Sequence, residues 1–467
     1  PAATSSLAKA AAHADDAAPP ARIVPATGPA VAIIGMEAHV GQAKGLTAFQ
    51  EAVFNGRGTF RPASAARWKD CSASVAGMLG GKNLPGNYLE DLDIELGAFG
   101  IPPNELEDIL PQHLLMLAVA AGALDDAAMP QRAERPRMGA VVGMEFDLEN
   151  TDFHLRWRMP DLVSQWQLKY GLSMSREDTG AWIEALKADV CPPLTHSRTL
   201  GSLGGIIASR IARAFRFGGP SFVVSGEELA GLKALAIARR ALQNHEVDAM
   251  LVGAVDLPGD LRRVATYERL RAFSRQSAPN PFDTAADGTL PGEGAVALVL
   301  KRLDDARADG DRVYGLVQGT GAASGAVTID SGDERAGSLA KALRRALAEG
   351  STPIASIDLI EAHGSGHPLE DRAEHDALAP LVSEGPLPLA VGSAKATLGH
   401  TGAAAGLVSV VKGALSLYHR TIPPLPAIQS PPAACWSSAR FHLPARPLPW
   451  LRDRQAEART AAVLALT

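Results

Sequence analysis

Residues Ser221–Leu257 read SFVVSGEELAGLKALAIARRALQNHEVDAMLVGAVDL, and the periodicity changes twice along them. Ser221–Ser225 is a short apolar run of strand length, residues Gly226–Gln243 place their apolar side chains at helical spacing, and Ala249–Leu257 is again an unbroken apolar run. A strand, a helix and a strand joined by short links predict an α/β fold with a mainly parallel or mixed sheet. The same alternation extends in both directions. Buried-strand runs lie at Val31–Gly35, Met138–Gly143, Glu293–Leu300, Ile357–Ala362 and Leu387–Val391, and helical spacing covers Pro111–Ala127 and Gly402–Tyr418. Both halves contain a strand, a turn and a small-residue helix, which permits a duplicated fold.

The 467 residues are 46% apolar and 21% charged, enough for a large packed core. A net charge of −6 with no long like-charge block argues against a nucleic-acid partner. No apolar run reaches the length of a membrane span. Cys71, Cys191 and Cys435 are far apart without zinc-ligand spacing, so neither a disulfide framework nor a metal site is expected, and a reducing cytoplasm is. Residues 1–28 are rich in Ala and Pro and lack the apolar core of a signal peptide, which predicts a linker. Residues 56–110 are broken by Pro and Gly, and the charged stretch 145–190, with Trp157, Trp166 and Trp182, is expected to be an insertion or interface region.

Three sites at strand ends are candidates for chemistry, because such ends open into the crevice where α/β proteins place ligands. His363 lies in EAHGSGH, where Gly364 and Gly366 leave the backbone open to close approach. Lys395 and His400 lie in VGSAKATLGHTGAAAG; His400 precedes a helix N-terminus, where the dipole favours the neutral ring, which can donate to a developing oxyanion. The run Ala403–Gly406 is also what tight helix packing would use. Glu228 is ambiguous. With Ser225 it has capping-box spacing, yet it shares a helical face with Gly231, Leu235, Ala238 and Leu242, which would turn its carboxylate inward, where it needs partners. Dinucleotide, Walker, HExxH and GxSxG patterns are not found.

Taken together, VAIIGM, PQHLLMLAVAAGALDDA, GPSFVV, VDAMLVGAVDL, NPFDTAADGTLPGEGAVALVLKRLDDA, EAHGSGH and GSAKATLGHTGAAAG resemble the β-ketoacyl synthases, in family order from about Val31 onward. The stretches PPNELEDILPQHLLML and EELAGLKAL look most like the ketosynthase-like and chain-length-factor domains of polyunsaturated-fatty-acid and type I polyketide synthases. The resemblance implies a thiolase-like fold of duplicated αβαβα layers with mixed five-stranded sheets, divided into an N-terminal half at 29–285 and a C-terminal half at 286–467. It implies catalytic roles for His363, His400 and Lys395, a substrate carried on the phosphopantetheine of an acyl carrier protein, no cofactor of its own, and a homodimer or a heterodimer with an active ketosynthase.

The family's nucleophilic cysteine falls on Glu228. A carboxylate that took up an acyl group would form a mixed anhydride, far more labile than a thioester, so condensation by this domain alone is expected to fail. The family also continues past AAVLALT into a Gly-rich loop that completes its oxyanion hole, which this sequence does not include. Two functions follow as expectations. One is a non-condensing, chain-length-factor-like partner in which Glu228 is structural and pairs with Lys395. The other is a decarboxylase of malonyl-carrier protein that makes an acetyl starter, in which Glu228 holds the histidines in position. A relocated nucleophile at Cys191 is the remaining expectation, disfavoured by its distance in sequence from both histidine loops.

Overall fold

All seven apolar runs become strands: β1 (Val31–Val40), β2 (Met138–Met144), β3 (Ser221–Val224), β4 (Ala249–Asp256), β5 (Gly294–Arg302), β6 (Ile357–Glu361) and β7 (Leu389–Gly392). Two short strands, β8 (Phe441–His442) and β9 (Thr460–Val463), were not apparent in the sequence. The structure, a computed structural model, describes residues 28–467 apart from 65, 69–70, 80–82, 131, 146–150, 191–192, 326–331, 383–387, 427, 429, 432–434, 437–439 and 452–457. The linker expected at 1–28 therefore lies, save for Gly28, outside the described residues, and so does Cys191.

The first sheet has the lateral order β1–β5–β4–β2–β3, and the short strands Ala43–Lys44 and Gly315–Val317 both pair with β1. β5 runs antiparallel to β1 and β4, whereas β2 is parallel to β3 and β4. The second sheet is β8–β7–β6–β9, parallel throughout. In place of two mixed five-stranded sheets, then, the described residues give a mixed first sheet of five strands with two short ones added, and a second sheet of four. β5 fills the gap between β1 and β4, so the chain leaves the first sheet only after Val317.

The helices that bear on the layers and the site are α1 (Pro111–Asp126), α2 (Thr151–Tyr170), α3 (Arg176–Val190), α4 (Ile207–Phe215), α5 (Ala230–Gln243), α6 (Leu261–Leu270), α7 (Gly332–Glu349), α8 (Pro368–Leu378) and α9 (Ala405–His419). The period-2 alternation of β1 assigns the layers. Ala32 and Ile34 pack with α1 and α4 on one face, while Val31 and Ile33, and Met36 after the register shift between Ile33 and Gly35, pack with α5 and α9 on the other. α7 and α8 cover the second sheet. α9 touches strands of both sheets and is buried along nearly its whole length, which accounts for its almost uninterrupted apolar sequence. The layers are thus helix, sheet, helix, sheet, helix.

The two central helices approach closely because small residues face each other. A Cβ on Gly231 of α5 would lie 2.9 Å from Leu407 Cγ and 3.1 Å from the Ala403 carbonyl oxygen, and one on Gly406 of α9 would lie 2.5 Å from Leu232 Cγ. This contact fixes the start of α5 against the start of α9, and those two starts carry Glu228 and His400. The stretch 151–190 forms the α2 and α3 pair, joined through Trp166 and Trp182 with ring centroids 6.1 Å apart. Its outer side exposes Trp157 (72%) and Leu168 (88%). The described part of 56–110 forms short 3-10 turns, a seven-residue helix at Ser72–Met78 and a two-residue ladder between Arg61–Pro62 and Pro85–Gly86.

Gly231→Val should overpack the seam between α5 and α9. Urea unfolding is expected to show a loss of about 1–3 kcal/mol, with no change in oligomeric state required.

Candidate active site

Four sequence candidates converge at the junction of the two halves. Glu228 sits on the 3-10 turn Glu227–Leu229 between β3 and α5; His363 follows β6; Lys395 opens the short helix Lys395–Leu398 after β7; His400 precedes the turn into α9. All four are buried, Glu228 at 3% exposure and His363 at 1%. The His363 and His400 rings lie edge to face with centroids 5.7 Å apart.

The backbone sets the ring tautomers. Gly402 N–H donates to His400 Nδ1 at 3.1 Å, and Leu466 N–H donates to His363 Nδ1 at 3.1 Å. Lys395 Nζ lies 3.3 Å from the same His363 Nδ1 and donates to the His363 carbonyl at 2.7 Å. A nitrogen that accepts carries no proton, so both rings hold theirs on Nε2. Both Nε2 atoms face Glu228: His400 Nε2 is 3.3 Å from Oε1, and His363 Nε2 is 3.9 Å from Oε2. Burial, with the charge of Lys395 added, pushes His363 down to about 4, so its ring is neutral near pH 7.

Two earlier expectations for Glu228 are corrected. The capping box does not form: α5 and the turn before it have no side-chain cap, because the carboxylate points inward along the buried helical face. Nor is Lys395 its partner, since that ammonium is committed to His363. The partner is Arg271, whose Nη1 donates to Glu228 Oε1 at 3.1 Å. Burial alone would raise the Glu228 carboxyl, but His400, His363 and Arg271 outweigh it and hold it near 2. Glu228 is ionised.

Arg271 was not apparent in the sequence, and neither was a set of carboxylates on α8. Glu370 accepts from Ser365 Oγ at 2.6 Å and lies 3.4 Å from Arg271 Nε and 3.5 Å from His363 Nε2. Asp371 accepts from the N–H groups of Phe282 and Gly366; Glu374 accepts from those of His363 (2.6 Å) and Gly364 (2.7 Å). Burial raises Glu374 to about 7 and Asp371 well above its ordinary range. These carboxylates hold a loop that glycine makes possible, because Gly364 has φ +46 and a Cβ there would lie 2.7 Å from Ser393 Cβ. The signal lay in PLEDRAEHDAL, with acids at i, i+1 and i+4 directly after EAHGSGH.

Glu228, His363 and His400 also have the composition of a metal set, with one ligand atom from each within 4.8 Å of the others. Their hydrogen bonds do not suit one. A metal-bound imidazole donates its second ring N–H to an acceptor, whereas here both Nδ1 atoms receive N–H groups and both Nε2 atoms carry the proton. The arrangement is instead two donors aimed at an anion, the geometry that stabilises a developing oxyanion, with Glu228 supplying a negative charge in the same space. Of the two described cysteines, Cys435 is buried in the second-sheet core beside Trp436, and Cys71 is on the surface.

The profile described as "Beta-ketoacyl synthase, N-terminal domain" matches residues 29–306, and "Beta-ketoacyl synthase, C-terminal domain" matches 314–429. A highly reducing polyketide synthase of Cordyceps militaris is 30% identical over 429 residues, covering 89% of this chain and 15% of that protein. Among solved structures, the ketosynthase from module 6 of the bacillaene synthase of Bacillus subtilis superposes with a TM-score of 0.74 at 26% identity, covering 93% of this chain and 69% of that one. The PfaC keto synthase-chain length factor superposes at 0.71 with 27% identity, covering 84% of this chain and 40% of that one. The chain thus spans about one-sixth of the length of the curated relatives it matches.

His363 gives the site an acid sensitivity of definite sign. With the ring at about 4 in the fold against an ordinary 6.5, its contribution is complete above pH 6.5 and is lost as pH falls through 4. Relative to His363→Gln, urea unfolding of the parent protein should lose about 3 kcal/mol between those limits. Glu374 contributes with the opposite sign below about 7 in both proteins.

Proposed function

The chain belongs to the β-ketoacyl synthase family, and from that premise we propose that it acts as a non-condensing, chain-length-factor-like partner of an active ketosynthase in a polyketide or fatty-acid synthase. The observation that carries this is the Glu228 carboxylate: buried, ionised, paired with Arg271, and lying where both Nε2–H groups converge. A carboxylate is a poor nucleophile for a thioester, and its acyl product would be a mixed anhydride. A negative charge at this point also repels a second carboxylate, such as that of a malonyl group.

An assembly of two ketosynthase-fold chains is supported by the edge of the first sheet. Among the described residues β3 pairs only with β2, and its other side is free, with Phe222 39% exposed. Such an edge is a site for pairing with a second chain. In the proposed role the domain shapes an acyl channel beside its partner, while the substrate arrives on the phosphopantetheine of an acyl carrier protein.

A decarboxylase of malonyl-carrier protein is the second reading, and one observation favours it. Neither His363 Nε2 nor His400 Nε2 has a well-aligned hydrogen-bond partner, so both donors are poised for an enolate oxygen. Decarboxylation breaks a C–C bond and leaves an enolate without requiring a covalent enzyme intermediate.

Carbon dioxide release from malonyl-loaded carrier protein separates the two. The expected result is release no faster than that of His363→Ala, together with a stable complex with an active ketosynthase by native mass spectrometry. Turnover that disappears in His363→Ala would establish the decarboxylase instead. A chain that stays monomeric beside every ketosynthase offered would end the partner reading.

A further inference from the structure

We propose that Arg271 is the positioning residue of this site, a guanidinium clamp that holds an anion at position 228 against the two imidazoles and ties it to the His363 loop. It holds for either reading of the function.

The backbone of Arg271 is fixed before its side chain acts. Arg271 caps the C-terminal end of α6, its N–H donating to the Tyr267 carbonyl at 2.7 Å. Two residues on, Phe273 N–H donates to Glu268 Oε2 at 3.0 Å, and the Phe273 ring stacks on Tyr267 with centroids 6.4 Å apart. The chain leaving α6 is therefore pinned on both sides of Arg271, and its side chain reaches the site from a rigid base.

The guanidinium then uses two different nitrogens on two different carboxylates. Nη1 meets Glu228 Oε1 at 3.1 Å, and Nε lies 3.4 Å from Glu370 Oε1. Glu228 comes from the turn between β3 and α5, and Glu370 from the first turn of α8, so one side chain links the loops that end in the two sheets. A planar fork with donors on separate nitrogens suits this span, whereas an ammonium presents all of its donors from one atom.

The other groups facing Glu228 do not replace it. From the β6 loop comes His363 and from the turn before α9 comes His400, both offering Nε2–H. Lys395 acts at longer range because its Nζ is bound to His363, and burial lowers its affinity for the proton. From α6, the Tyr267 hydroxyl faces the carboxylate electrostatically, and its own acidity is weakened by burial and by Glu228. Glu370 is negative and shares Arg271; Arg335 of α7, with Nη1 3.7 Å from Glu370 Oε1, serves that second carboxylate. Arg271 is thus the permanent positive charge in direct contact with Glu228.

A thiol at the same position reports what the clamp does to an anion. In E228C, thiolate ultraviolet absorbance would be titrated against pH, with the parent protein subtracted so that Cys71, Cys191 and Cys435 cancel. The expected midpoint lies at least one pH unit below the ordinary thiol value of about 8.5. E228C/R271M should titrate at least one unit higher than E228C, a tenfold smaller thiolate fraction at pH values below both midpoints, with E228C/R271K between them. Superposable titrations with and without Arg271 would overturn the proposal.

The natural glutamate allows a second measurement that requires no folded E228C. A carboxyl held near 2 against an ordinary 4.5 stabilises the fold above pH 4.5 and loses that contribution as pH falls through 2. Without Arg271 the folded value rises, so the acid-unfolding midpoint of R271M should move to higher pH. A loss of stability equal at every pH would mean that Arg271 only packs, and would likewise overturn the proposal.

Discussion

An ionised carboxylate removed from water must be met by donors, and the centre of this protein is arranged around meeting one. Transferring a bare carboxylate into a protein interior is prohibitive, and ordinarily the group takes up a proton instead. Glu228 keeps its charge because two imidazole N–H groups and one guanidinium face it. Each donor depends on structure further out. The His400 tautomer is set by Gly402 N–H at the entry to α9, and the His363 tautomer by Leu466 N–H beyond β9 and by Lys395. Position 228 can bear a charge only if both sheets and the helices between them are assembled.

The layers behind the site explain why it is rigid. Gly231 and Gly406 let α5 and α9 approach until a single added carbon would collide, which fixes the turn bearing Glu228 relative to the turn bearing His400. On the other side, Glu361 of β6 and Lys412 of α9 form a fully buried pair at 2.7 Å, and α8 clamps the His363 loop by its main-chain N–H groups. A buried pair of this kind adds little net stability over an apolar pair, but breaking it is costly because it strands a charge. Its role here is registry: the last residue of β6 is tied to the helix that begins beside His400.

The frame is that of the β-ketoacyl synthases, and in this chain a carboxylate and its guanidinium counter-ion occupy the centre of the site. The two Nε2–H groups aim at a point where negative charge is stabilised, which is useful for an oxyanion or an enolate. With Glu228 in place the protein brings a negative charge of its own to that point. Fold similarity therefore says little about turnover, because a fold hosts whatever chemistry its site permits.

Strand and helix positions were legible in the sequence because they depend on local periodicity: seven apolar runs became seven strands, and the small-residue runs became the closely packed central helices. The family motifs located His363, Lys395 and His400 because glycines and strand ends mark such loops locally. The sequence also singled out Glu228, but it left the direction of that side chain open between a helix cap and the interior. Only the tertiary structure decided it. Arg271 is 43 residues from Glu228 in the chain, and Glu370 is a further 99 beyond Arg271, so no window of local pattern contains their contact. The ring tautomers likewise rest on backbone groups, including Leu466 N–H, 103 residues from His363, whose orientation is set by a sheet and not by residue type. Periodicity is written into neighbouring residues, whereas the meeting of charges exists only once the chain has closed on itself.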